Sequence, residues 1–265
     1  MAAGAEAPLY PAQAVVVCAH AEREADARAL ARRLDLPFAA ELPAEPDGLA
    51  FVFTRDRLQV QATGPDAPGA VYADFVRGTT ARRARQAAHA DEGLLRAAGA
   101  RKGRTPDIID ATAGLGRDAC LLAAVGCRVT LVERHPAVAA LLADALARAR
   151  RDPGAAELAQ RMELVEADAA GVLAQRRADT VVLDPMHPPR RKSAQVRKEM
   201  RLFRELVGAD ADSDALLLPA LEAARGRVVV KRPRGAASLA GPAPSGAIEG
   251  RSTRFDIYAG RAGDG

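Results

Sequence analysis

Four short acidic or glycine-rich segments of this chain have the residue types and spacing to do chemistry. The first is DIIDATAGLGRDAC, residues 107–120. An apolar run ends in Asp110, and a loop with Gly114 and Gly116 leads into a helical stretch that starts at Arg117 or Asp118. Glycines let a backbone turn tightly and approach a ligand closely. A helix start also offers free N–H groups. The spacing is neither G-x-G-x-x-G nor a G-K-[ST] phosphate loop. It is closer to acid-x-G-x-G-x-G, with Thr112 in the first glycine slot. Asp110 and Asp118 suit the cationic amino-acid end of a ligand such as S-adenosylmethionine (SAM).

The second segment is Glu133, nineteen residues past Gly114 at the end of the next apolar run. An acid there can accept hydrogen bonds from both ribose hydroxyls of an adenosine. The third is Asp168, after the run Met162–Glu166, placed either to meet an adenine amino group or to cap a helix. The fourth is TVVLDPMHPP at 180–189. Proline fixes its own φ and has no N–H, so Asp184 and the Pro185 carbonyl form a rigid pair of acceptors, exposed at the end of a strand. Such a pair can hold an exocyclic amine, aim its lone pair and take up developing positive charge. His187 follows and can stack on a flat base.

Parallel strands separated by helices would bring these segments to one edge. From residue 105 onward the pattern alternates: strands over 107–111, 128–132, 162–166, 180–183, 227–230 and 255–258, and helices over 117–125, 136–150, 193–207 and within 212–224. This is an α/β rhythm with a mostly parallel sheet, whose ligands bind at the carboxyl ends of the strands. Residues 1–75 form a small α+β domain: a strand at 14–19, a helix at 22–34, a hairpin of 49–53 with 58–62, and a strand at 71–76. Residues 76–104 form a basic helical connector with one helix over 80–98, and 105–265 form the catalytic domain.

Charge adds a partner. Residues 190–204 carry seven basic residues against Glu199 alone, and 77–104 carry eight against Asp91 and Glu92. Either cluster suits a polyanion. Arg190, Arg191, Lys192, Arg197, Arg201 and Arg204 would form a ridge suited to phosphates, with Lys231 and Arg232 at the same sheet edge. The net charge of +4 is mild, and charged residues at 27% exclude wholesale disorder. No apolar run reaches membrane-spanning length, no secretory leader is evident, and three widely spaced cysteines suit the reducing cytoplasm rather than a disulfide scaffold. Histidines 20, 89 and 135 lack metal-ligand spacing, so no metal is expected.

The segments DATAGLGRDA (110–119), VER (132–134), LDPM (183–186), KSAQVRKEMRLFRELVG (192–208), VVVKRP (228–233) and RFDIYAG (254–260) together resemble the bacterial 16S ribosomal RNA guanine-N2 methyltransferases of the J type. The similarity extends to VYADFVRG at 71–78 and covers residues 70–260. It implies a SAM-dependent, Rossmann-like class I methyltransferase acting in the cytoplasm on the N2 amine of one guanine near the 3′ end of small-subunit rRNA. By matching motif, Arg117 and Asp118 fall in the cofactor loop and Glu133 and Arg134 at the ribose. Asp168 and Ala169 follow the third strand, and Asp184 is the acceptor. This chain departs from the family pattern at His187, where an aromatic residue is usual, and at Ala169, which can offer only its backbone.

Other functions compatible with the residues are a SAM-dependent methyltransferase acting on adenine N6 or a protein amide, an NAD-dependent dehydrogenase, and a non-catalytic RNA-binding assembly factor. The D-P-M-H turn disfavours the first, for which D/N-P-P-aromatic is common. The missing third glycine disfavours the second, and the intact Gly114, Gly116, Glu133 and Asp184 disfavour the third.

Overall fold

The computed structural model describes residues 10, 13–46, 48–64, 67, 69–87, 92–101, 103–185, 202, 206–207 and 213–261. The chain divides into two compact units, Met1–Tyr72 with Pro189–Gly208, and Ala73–Pro188 with Ala209–Gly265.

In the first unit the Val-rich β1 (Ala14–Cys18) lies parallel to β2 (Phe38–Ala39) and β3 (Leu49–Phe53), and β4 (Leu58–Ala62) closes an antiparallel hairpin on β3. The helix α1 (Glu24–Leu34) buries Ala27, Leu30, Ala31 and Leu34, one stripe at helical spacing. It ends at Asp35, whose left-handed φ of 52° lets its N–H reach back to Ala31 and Arg32. The strand expected over 71–76 is reduced to a single bridge, Val71 with Val60. The Asp74 carboxylate instead accepts the N–H groups of Val76 and Arg77 at 2.8 and 3.0 Å, which gives those groups a partner other than a neighbouring strand.

The second unit is built on a seven-stranded sheet. Its strands are β5 (Ile108–Asp110), β6 (Val129–Glu133), β7 (Met162–Glu166), β8 (Ala178–Leu183), β9 (Ala224–Pro233), β10 (Gly246–Glu249) and β11 (Thr253–Ala259), in the order β10-β11-β9-β8-β5-β6-β7. The five strands from β9 to β7 run parallel, and β11 pairs antiparallel with both β9 and β10. Helices pack on both faces, so Val181, Val182, Leu183 and Val228–Val230 are all buried as a near-continuous apolar run. One layer holds α4 (Arg117–Ala124) and α5 (Pro136–Arg151), with Pro136 in the first turn of α5. The other layer holds α7 (Ala169–Gln175) and α8 (Leu217–Ala223). A short α6 (Ala156–Gln160) precedes β7.

The single helix expected over 80–98 is two, α2 (Gly78–Gln86) and α3 (Gly93–Ala98), both within the second unit. The break places Gly93 against β11, where a Cβ would lie 3.1 Å from the Phe255 ring. Gly99 then closes α3 at φ 75°, as its position suggests. Among the described residues no helix is long and apolar enough to cross a membrane.

The chain leaves β5 toward β6 and β7 on one side and returns to β8 and β9 on the other. This reversal opens a crevice at the carboxyl ends of β5 and β8, the usual ligand position in such sheets.

Candidate active site

The glycine loop is pinned across that crevice. Ala111 donates its N–H to Val182 O at 3.0 Å and Ala113 to Val132 O at 3.1 Å, so the loop is tied to β8 and β6 at once. Gly116 starts α4 at φ 69°, and a Cβ there would sit 2.8 Å from the Phe75 ring and 2.9 Å from a Leu142 methyl. Both its conformation and its neighbours therefore require glycine. Gly114, at φ 52°, donates its N–H to Glu133 Oε2 at 3.0 Å, and His135 N–H donates to the other oxygen at 2.8 Å. Glu133 is thus a brace between β6 and the loop. Burial raises its pKa, and the two N–H groups with the nearby Arg134 charge oppose that rise. The Arg134 N–H adds a third bond, and a carboxylate, with about four lone-pair sites, still has room for a ligand hydroxyl.

Three aspartates gather at the crevice around one ammonium. Lys231, from β9, places Nζ 2.6 Å from Asp118 Oδ2 and 2.7 Å from Asp184 Oδ2. Burial alone would lower its pKa, but the two carboxylates outweigh burial and hold it charged, above its ordinary value. Burial raises the Asp184 pKa; Lys231 pulls it down, while Asp118 pushes it further up. Asp110 is 3% exposed and is pushed up to about 7, by burial first and then by the Asp118 charge. The outer oxygen of Asp118 faces Arg83 of α2 at 3.5 Å, and Arg83 is itself held by both oxygens of Glu92 at 2.8 Å. The Thr112 hydroxyl accepts the Asp184 N–H at 2.6 Å. Asp184 is therefore fixed at both ends, its backbone by the glycine loop and its carboxylate by β9.

This arrangement is a concentrated set of anionic acceptors on a glycine loop at the reversal of a parallel sheet. Residues 30–260 match the family model described as "Putative SAM-dependent methyltransferase". A ribosomal RNA small subunit methyltransferase J of Pseudomonas aeruginosa (strain UCBPP-PA14) is 49% identical over 235 residues, 88% of this chain and 89% of its own. The chain belongs to the J-type small-subunit rRNA methyltransferase family. A relative of the same description from Alkalilimnicola ehrlichii is 49% identical over 251 residues, 92% of this chain and 94% of its own. The crystal structure of a SAM-dependent methyltransferase from Neisseria gonorrhoeae is 34% identical with a TM-score of 0.70, covering 95% of this chain and 97% of that one. The methyl donor of the family is SAM, and the acid-rich crevice fits a ligand with a net positive charge.

Of the residues singled out by sequence, the J-type fold brings together Asp110, Gly114, Gly116, Asp118, Glu133 and Asp184. Arg117 and Arg134 are exposed at the start of α4 and just beyond β6. Asp168 caps α7, accepting the N–H groups of Ala170 and Gly171 at 2.9 and 3.3 Å, and Ala169 is buried behind it. At the end of β8 Asp184 is half-buried and Pro185 is buried as a residue.

Lys231 and Arg232 do not form part of an outward cationic edge. Consecutive strand residues point to opposite faces. Lys231 turns into the aspartate cluster, whereas Arg232 is buried and donates to Ala237 O at 2.9 Å. His187, Arg190, Arg191, Lys192, Arg197, Arg201 and Arg204 lie outside the described residues.

Sequence reading missed two members of the site. Thr112 was legible only as a departure from glycine in the loop. Arg83 carried no local signal, because its approach to Asp118 depends on how α2 packs on α4. A depression of about 450 Å³ lies at the amino ends of the strands, lined by Asp107, Arg128, Arg161, Glu163, Arg176 and Arg177. It is at the opposite edge of the sheet from the aspartates, and Arg176 there is clamped by Glu163 at 2.9 Å. Among the described residues no group of His, Cys, Asp and Glu could hold a metal ion.

Proposed function

We propose that the chain transfers a methyl group from SAM to the exocyclic N2 of one guanine in the 16S rRNA of the small ribosomal subunit, in the cytoplasm. The observation that carries the reading is Asp184, held by Thr112 and Lys231 beside the glycine loop. SAM supplies an electrophilic methyl on a sulfonium. Asp118 offers negative charge to its cationic end, and Asp110, with a pKa of about 7, does so in its ionised form. Glu133 serves the ribose, Asp168 and the Ala169 backbone the adenine edge, and Arg117 and Arg134 flank the loop.

The target base must leave its stack to reach this crevice. The Asp184 carboxylate and the Pro185 carbonyl accept the N–H groups of the amine and aim its lone pair. As the amine gains positive charge, the Asp184 carboxylate opposes that charge and receives the departing proton on its way to water. Lys231 pulls the Asp184 pKa down against burial and the Asp118 charge, and so favours its ionised form. Catalysis is mainly positioning and electrostatic. His187 stacks on the base, and Arg190, Arg191, Lys192, Arg197, Arg201 and Arg204 contact backbone phosphates.

The test is transfer of radiolabelled methyl from SAM to small subunits lacking the modification, followed by digestion to nucleosides. Label in N2-methylguanosine is expected. Label in N6-methyladenosine, or in ribosomal protein, would replace this reading.

A further inference from the structure

Among the described residues of the second basic cluster, 77–104, Arg83 alone enters the site. The rest of its helix has a different character. The α2 sequence GTTARRARQ contains no acid. Its buried residues, Ala81 and Ala84, face the core, and at helical spacing this turns Arg82, Arg85 and Gln86 outward, where all three are exposed. Arg77 stands exposed at the N-cap.

Helix stability accounts for part of this set. Arg83 and Arg85 lie in the last turn, where the helix dipole favours cations. Arg77 stands at the opposite end, where the same dipole disfavours a cation. Among the described residues, Arg77 and Arg82 enter no ion pair. Arg85 reaches only the Val76 carbonyl, at 3.3 Å. The position of the helix is set by Arg83, which bridges Glu92 and Asp118 and so fixes the open arginine face beside the aspartate cluster. Lys231 and Arg232 are both spent inside the protein, so they cannot serve a phosphate chain.

We propose that the outer face of α2 is an RNA-docking surface, on which Arg77, Arg82 and Arg85 contact backbone phosphates next to the target guanine. The assignment rests on reading the chain as an rRNA methyltransferase and adds the surface that leads RNA to its crevice. These contacts are independent of base sequence, so they supply affinity and register rather than choice of nucleotide.

The experiment measures binding of deproteinised 16S rRNA by filter retention across a salt series. It compares the wild-type chain with the double variant Arg77→Gln/Arg82→Gln. Arg150→Gln/Arg151→Gln, at the far end of α5, serves as the surface-charge control. Losing two phosphate contacts lowers the slope of log K against log salt by about 1.4–1.8. SAM affinity by calorimetry should be unchanged, which shows that the fold and crevice are intact. A double variant whose slope matches wild type, or a control pair that loses as much, overturns the proposal. If the wild-type chain binds RNA but transfers no methyl, the catalytic reading fails, while the slope comparison still decides this one.

Discussion

Replacing Lys231 with methionine removes the one ammonium that bridges Asp118 and Asp184, at 2.6 and 2.7 Å, while keeping most of the buried stem. The cost lies between two limits. Exposed ion pairs contribute about 0–1 kcal/mol, and breaking a buried pair costs about 3–5 kcal/mol. The Lys231 side chain is 28% exposed, Asp118 12% and Asp184 39%, so the loss of stability should be about 1–3 kcal/mol after discounting for solvent screening. The titration of Asp184 is the sharper readout. Burial and Asp118 already raise its pKa, and Lys231 is the cation that pulls it down. Around it also stand Asp110 and, beyond Asp118, Arg83. Without Lys231 the raising effects act unopposed, and Asp184 takes up its proton at a higher pH. Because the ionised form accepts the amine, activity falls as pH drops through that pKa. The acid limb of the kcat profile should therefore move to higher pH, and kcat near neutrality should drop by about 10–100-fold, equivalent to about 1.4–2.7 kcal/mol of barrier. Lys231→Arg, which keeps the charge, should recover much of both effects. The assay is methyl transfer at saturating SAM and RNA across pH. An unshifted acid limb in Lys231→Met, with kcat near wild type, would refute the reasoning.

Other outcomes follow from the same geometry. Thr112→Val leaves the Asp184 N–H without its acceptor, which should cost about 1–3 kcal/mol in urea unfolding and lower kcat more than it changes the KM for SAM, with Thr112→Ser restoring both. Gly116→Ala forces a Cβ toward Phe75 and Leu142 at a left-handed φ, and should lower stability by at least about 1–3 kcal/mol, read as a fall in Tm. Asp110 has a folded-state pKa of about 7, raised from the ordinary carboxylate range. The fold therefore binds its proton more tightly than the unfolded chain does, and stability is lost as pH rises from about 4 through 7. Asp110→Asn should flatten that part of the Tm–pH curve, and an unchanged slope would show that Asp110 is not the group responsible.

Strand periodicity located β3, β4 and β7 to the residue, because alternating or continuous apolar runs between turn residues leave little choice of register. The order of glycine loop, Glu133 and Asp–Pro turn was likewise legible, since each stands at the end of an apolar run and a parallel sheet brings such ends to one edge. Elements set by long-range contacts were not legible. The separate start of α3 follows an extended Glu92, and it seats Gly93 on Phe255, 162 residues away. The 71–76 segment has the composition of a strand, yet the Asp74 side chain takes its N–H groups. Lys231 was misplaced because its sequence context, VVVKRP, gives two adjacent cations and no sign of which one meets the aspartates. Asp118 and Asp184 settle that only once β9 lies beside β8.

The whole account depends on Asp184 as the acceptor of the target amine, separate from cofactor capture. SAM affinity by calorimetry and methyl transfer to small subunits, measured side by side for Asp184→Ala, test this directly. The account predicts SAM binding within about threefold of wild type and loss of turnover by at least about 100-fold, a barrier increase of about 2.7 kcal/mol. Turnover close to wild type in that variant would contradict it.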